Sequence, residues 1–499
     1  MGILDAPGVA RTDARLRRDN LFRGNPIVTS RGNGFGSNSG NLSNGTDTST
    51  TYRTIHNVLV SACEFRLIYA NYYNGATLGP NTITVKASMD PVQNGTIGAS
   101  SAGTAYPVSF NGARSVVIDP GCYAISDPIP LNAVAGQNLY VRTYVSVASA
   151  GQKWPLSMFT NASSLEGASA ANTDATPSNS ACSTSQGPAY SPVAILGIPI
   201  SGIRPKTWGG LGDSIMAAAG DNRATDYGFF VQACIAALAG YFNGALPGDR
   251  AASFITSTTR NAQLFACTHA LDEYGTNDIF TAGATLAQLQ GYKITIWQWL
   301  AARGIVTKAT TLVPSTTSTD GWATVANQTV KTGETVRVGI NDWIRDGAPI
   351  LNGVAVATGS NAPGTLRAGQ SGHPLAGYFE IADAVESSRN SGKWAITGVR
   401  SVSDGAINAS SSTFTSATAN FTAADKFRQI YIAGAGAGGI GLDTWIAAVT
   451  NATTITIGGS AASTTVSSAA TSIGMFSVDG VHPSSDGHNL MAGALNLAA

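Results

Sequence analysis

The chain has 499 residues, 43% of them apolar and only 12% charged, and its 29 basic and 29 acidic side chains cancel. That apolar share argues against a disordered chain, and zero net charge without a basic block or stripe argues against nucleic-acid binding. The length suffices for two or three domains, and the Gly, Ser, Thr, Asn and Ala that replace charge read as strands and turns rather than long solvated helices.

The first residues, MGILDAPGVARTDARLRRDN, hold no apolar core, so no signal peptide is expected. Ala6 breaks the myristoylation pattern after Met-Gly. No apolar run approaches the roughly 18 residues of a membrane helix. A soluble protein without membrane insertion is expected; if it works outside a cell, it leaves by a route other than a standard signal. Residues 1–50 end in GNGFGSNSGNLSNGTDTSTT and read as a flexible or attachment arm.

From 51 to 203 short alternating runs stand between turns: HNVLVSACEFRLIYANYY, NTITVKASM, YPVSF, RSVVIDPG and LYVRTYVSV. Period-two alternation predicts an all-β sandwich of jelly-roll type, a candidate carbohydrate-binding module. The stretch ASSLEGASAANTDATPSNSACSTSQG near its end reads as an exposed loop. The five cysteines, at 63, 122, 182, 234 and 267, are widely spaced and form no C-x-x-C pair, so neither a zinc site nor a disulfide framework is expected.

After GIRPKTW the pattern changes. Helical stretches DYGFFVQACIAALAGYF and LAQLQGYKITIWQWLAARG alternate with strand-like ACTHALDEYG and KATTLVPST. Strand and helix in alternation predict a parallel sheet with helices on both faces, a three-layer α/β domain. Its first part runs over 204–397. A nearly charge-free β pattern then returns over 398–475 and reads as an insertion, and 476–499 closes the α/β domain. Within the insertion, GAGAGG at 434–439 fits a dinucleotide fingerprint only on paper, because strands rather than a helix follow it.

GGLGDSIMAAAG, 209–220, carries the first chemical signal. Ser214 reads either as a nucleophile or, with Asp213, as the cap of a following helix. A nucleophile needs a base, and VDGVHPSSDGH supplies a candidate. Asp479 lies three residues before His482, close enough to fold back onto Nδ1 and leave Nε2 free for a serine proton. The bland alternative is a surface turn with an incidental histidine. His488 is expected on the outer face of the terminal helix. Donors for an oxyanion come from Asn277 in EYGTNDIF and from the backbone of Gly248 in NGALPGDRA, while Asp278 is expected to tie down its loop. Trp208 and Trp322 are expected to line the cleft. His269, Trp297 and Trp299 read as core residues.

Taken together, G-D-S (212–214), N-G-A-L-P-G-D (243–249), G-T-N-D (275–278) and D-G-V-H (479–482) resemble the four blocks of the SGNH, or GDSL-type, hydrolases. The resemblance covers 204–397 and 476–499, under half the chain. It departs at Pro247, where the family often has a small hydroxyl residue, and at Ile215, where it has Leu. It implies a serine esterase with Ser214 as nucleophile, His482 as base and Asp479 as its orienting acid. The Ser214 and Gly248 amides and Asn277 would form the oxyanion hole, with Asp213 and Asp278 in support and no metal or organic cofactor. The insertion is similar to β modules of phage tail fibres. The expected substrate is therefore an acylated polysaccharide or other ester, with the protein on a virion tail or extracellular. A homo-oligomer is expected, trimeric if the chain is a fibre. The competing expectation is a non-catalytic glycan- or receptor-binding tail protein on the same scaffold.

Overall fold

A computed structural model describes residues 25–32, 42–75, 78–91, 105–157, 166–177, 182, 188–223, 228–254, 264 and 266–498. Its β-rich first part holds two antiparallel sheets. In the larger, Ser49–Asn57 pairs along its whole length with Asn138–Ser146, whose other edge takes Ile83–Met89. In the smaller, Ala62–Ala70 is flanked by Ala194–Pro199 on one side and by Tyr123–Ile125 and Ile129–Ala133 on the other. Alternation does the work expected of it. Ile83, Val85, Ala87 and Met89 are buried, as every second residue of a strand on a core must be. The Tyr69 and Thr143 hydroxyls, 2.8 Å apart, join the two sheets across that core.

The second part is a parallel sheet in the spatial order Tyr241–Asn243, Trp208–Leu211, His269–Asp272, Val306–Thr310, Leu375–Phe379. Its first strand in sequence lies between the second and the third, so the chain reverses its direction of travel there. Open α/β sheets bind ligands beyond the carboxyl ends of the strands at such a point. Neighbouring residues on one strand serve opposite cores: Ala270 packs with Leu289 and Trp297, whereas Leu271 packs with Phe230 and Met491. Helices Leu286–Ala301 and Glu334–Arg345 meet through stacked Trp297 and Trp343 rings, 5.6 Å apart. The former begins in a capping box between Thr285 and Gln288. Among the described residues no helix is long and apolar enough to cross a membrane.

Residues 400–473 form a closed six-stranded antiparallel barrel around Phe414, Ile430, Ile432, Ile446, Ile455 and Ile473. GAGAGG is the connection between two of its strands, Gln429–Ile432 and Leu442–Asn451.

Three expectations need correction. Within the supposed arm, Ile27 and Val28 are wholly buried, Ile27 bridges to Leu196, and Gly32 accepts a bond from the Asn243 amide at the edge of the parallel sheet. A Cβ at Gly32 would overlap the Tyr241 carbonyl, so this glycine serves a close approach and not flexibility. Residues 1–24 and 33–41 lie outside the described residues. In the supposed exposed loop, Glu166 and Cys182 are buried, and Glu166 accepts a hydrogen bond from the Ile55 amide. The helix expected over 226–242 spans only Phe229–Ala236, because Leu238 turns left-handed (φ 49°) and Tyr241 begins a strand.

Candidate active site

The strand Trp208–Leu211 delivers the chain into Gly212, where a Cβ would overlap the Glu273 carboxyl. Asp213 is buried. Its Oδ1 accepts from the Ile215 amide at 3.0 Å and its Oδ2 from Asn277 Nδ2 at 3.2 Å. No helix follows Ser214. Ala217 N–H donates to the Asp213 carbonyl and Ala219 N–H to the Ser214 carbonyl, and Ala218, at φ 71°, ends the turn. Ser214 therefore caps nothing.

The three strand-end loops lock together. Leu246 N–H donates to the Gly212 carbonyl at 3.1 Å, and Asn277 Nδ2 also donates to the Asp249 carbonyl at 3.1 Å. The Asp278 carboxylate accepts from the Ala251 and Ala252 amides, which fixes the loop carrying Gly248. Gly248 has φ 78° and open space where a side chain would stand. Among the described residues, neither the Ser214 nor the Gly248 N–H has a protein acceptor.

The fourth element comes from the C-terminal turn. His482 Nε2 lies 2.8 Å from Ser214 Oγ, and Nδ1 lies 2.6 Å from Asp479 Oδ2. Asp479 Oδ1 accepts from the Val481 and His482 amides at 2.9 and 2.8 Å. Burial works to raise the Asp479 carboxyl, but these bonds and the imidazole together hold it down at about 2. The turn depends on Gly480 (φ 83°), whose carbonyl accepts from Trp394 Nε1 and the Thr316 amide.

Two tryptophans and one histidine lie elsewhere than expected. Trp208 begins its strand, at the end opposite Ser214, and is wholly buried with its ring 4.8 Å from that of His269. Burial, then Lys206 and Lys308, hold His269 down at about 4. Trp322 packs beneath the Gly480 turn, with Nε1 bonded to Thr316 Oγ1, and so supports His482 from below rather than lining a cleft. His488 is buried, not outward. Its Nδ1 accepts from the Phe229 amide, its ring stacks on Phe229, and Nε2–H then donates to the Ala219 carbonyl. Burial holds it at about 4, so it is a neutral clamp on the segment that follows Ser214.

Glu273 was not singled out from sequence. It is buried behind Gly212, and its Oε2 accepts from the Asp213 amide at 3.2 Å. Burial, then the Asp213 charge, push its carboxyl well above the usual range, while burial pushes Asp213 to about 6. The available signal was an acidic pair, Asp272-Glu273, at the end of an apolar strand. Asp272 is satisfied by buried Lys293 and by Trp297 Nε1. Glu273 has no such ion pair among the described residues, and burial disfavours its ionised form. Glu273→Gln, neutral and of the same shape, should keep kcat/KM within about threefold. Glu273→Ala should lose about 2 kcal/mol of stability to a cavity. Thermal unfolding and ester turnover check both, and a Gln variant as damaged as the Ala one would mean that the ionised form is required.

No family model and no curated protein matches the chain. Among solved structures, a protein assigned as an acylhydrolase from Bacteroides fragilis aligns over 58% of this chain and 87% of its own, at 13% identity and a TM-score of 0.27. For a GDSL-like lipase from Bacteroides thetaiotaomicron the shares are 58% and 85%, at 9% identity and 0.26. A carbohydrate esterase family 2 enzyme with its carbohydrate binding domain, from Corynascus thermopiles (Myceliophthora fergusii), gives 63% and 86% at 13% and 0.22. The solved structures to which this chain is similar are GDSL-like acylhydrolases, lipases and esterases.

Proposed function

We propose that the chain is a serine esterase that removes O-acetyl or similar small acyl groups from a polysaccharide through an acyl-serine intermediate. The observation that carries this reading is the unbroken line Ser214 Oγ, His482 Nε2, His482 Nδ1, Asp479 Oδ2 beside two unengaged backbone N–H groups. Asp479 fixes the imidazole with its proton on Nδ1, leaving Nε2 as acceptor. Ser214 Oγ attacks the ester carbonyl as Nε2 takes its proton, and the Ser214 and Gly248 amides receive the oxyanion. Asn277 joins them when its Nδ2 releases the Asp249 carbonyl, to which it donates at 3.1 Å. Each donor lowers the barrier by roughly 3 kcal/mol. The intermediate collapses as His482 returns the proton to the sugar hydroxyl, and water repeats the attack on the acyl-serine.

The setting we assign is a phage tail, a prophage product or another extracellular position. Its support is the β-rich modules around the hydrolase sheet. A fluorophosphonate tests the nucleophile directly. One phosphonyl group per chain, on the peptide containing Ser214 and absent from Ser214→Ala, is the expected mass-spectrometric result. An unmodified chain that still binds glycan would favour the non-catalytic glycan-binding reading instead.

A further inference from the structure

The barrel touches the catalytic turn through a short chain of contacts. Its strands Gln429–Ile432 and Leu442–Asn451 pair with Tyr431 opposite Asp443 and Gln429 opposite Trp445. Ile430, Ile432, Thr444 and Ile446 fill the interior, so Tyr431, Asp443 and Trp445 face outward on adjacent strands. The Tyr431 ring rests against Gly321 and Gly441, where any Cβ would overlap it. Gly321 precedes Trp322, and the Trp322 ring lies against Gly480, between Asp479 and His482. The strand pair thus packs, through the buried Trp322, against the turn that carries His482.

The face carries the groups that hold sugars. The Trp445 indole lies over Gly458 and Gly459, two residues without side chains to lift it, and it is half-buried. Its Nε1–H has no acceptor among the described residues, and the Asp443 carboxylate has no hydrogen-bond donor there. A ring held on a glycine bed gives up little side-chain entropy on stacking, and free donors and acceptors beside it suit hydroxyl groups. Charge narrows the ligand further. Asp443 lies close to Asp320, so an acidic polymer would meet like charge on this face.

We infer that the barrel face formed by Tyr431, Asp443 and Trp445 is a sugar-chain subsite that holds a neutral, hydroxyl-rich polysaccharide on the module packed against the active-site turn. Its part in turnover rests on the esterase reading; its binding does not. The test uses the full chain with Trp445→Ala, Trp445→Phe and Asp443→Asn, on 4-nitrophenyl acetate and on O-acetylated xylan, mannan and polygalacturonate. Trp445→Ala should raise KM for a neutral polymer about tenfold and leave 4-nitrophenyl acetate turnover within about twofold, with Trp445→Phe between. Ser214→Ala, titrated calorimetrically, should bind a neutral polymer more tightly than polygalacturonate, and adding Trp445→Ala should weaken that binding about tenfold. Unchanged binding and KM in Trp445→Ala, equal affinity for polygalacturonate, or binding to none of the neutral polymers would each overturn the inference. If no ester is hydrolysed by the unmodified chain, the esterase reading fails alone, because the binding comparison still decides the subsite. A Trp445→Ala chain that has also lost 4-nitrophenyl acetate turnover is replaced by Trp445→Phe, which must show the same direction.

Discussion

Ser214→Ala is expected to lower kcat for an activated acetate ester by roughly four to six powers of ten, with KM little changed. The geometry explains the size of this effect. Ser214 Oγ has one bond, to His482 Nε2, and the hydroxyl holds no structural element in place. Removing it takes away the attacking atom while the two backbone donors remain. The residual rate is then what positioning and the oxyanion donors give to attack by water. Stability should change by less than about 1 kcal/mol, because one partly buried hydroxyl is lost and no large cavity forms. Release of acetate from an acetylated polysaccharide should fall in parallel with the chromogenic assay. A variant retaining more than about a hundredth of the rate would remove Ser214 from the chemistry.

Asp479→Asn should cost nearly as much, about four powers of ten near pH 7, by reversing a tautomer. Asp479 Oδ1 is committed to the Val481 and His482 amides, and an asparagine must keep an oxygen there. Its Nδ2 then faces His482 Nδ1 as a donor. The imidazole can only accept, its proton moves to Nε2, and Ser214 Oγ faces a donor where it needs a base. The signature is a large loss in kcat with an intact fold. Stability adds a second readout. The folded carboxyl lies at about 2, below its ordinary value of 3.8, so its contribution is fully present above about pH 4 and lost as pH falls through 2. The side chain is 48% exposed, so solvent screening limits that contribution to about 1 kcal/mol. The difference in Tm between wild type and Asp479→Asn should therefore shrink as pH is lowered from 5 to 2. A constant gap would mean that the pair has no electrostatic role in the fold.

Where function depended on local backbone, it was readable from residues. Gly248 and Gly480 hold left-handed backbone that favours glycine, and Asp479 reaches His482 within one turn, so these features were local. Strand alternation in 83–89 and in the barrel likewise comes from period two alone. Depth was harder to read. Trp208 was expected at the site end of its strand, yet it begins that strand, four residues from the G-D-S turn at the far end of the sheet. His488 looked polar and helical, but helix Ser485–Gly493 packs against Phe229–Ala236 and turns that ring inward.

The sequence by itself determined the chemistry available: a serine after a glycine turn, a carboxylate within one turn of a histidine, and strands alternating around apolar cores. Tertiary structure decided which of those groups meet. It carried His482 across 268 residues to Ser214, buried Glu273 behind the G-D-S turn, drew residues 25–32 into the core, and laid the barrel beside the Asp479–His482 turn. The physical reason is range. Turns and caps are fixed by dihedral preference and hydrogen bonds within a few residues, whereas burial, protonation of a buried acid and the facing of two modules depend on packing between segments far apart in the chain.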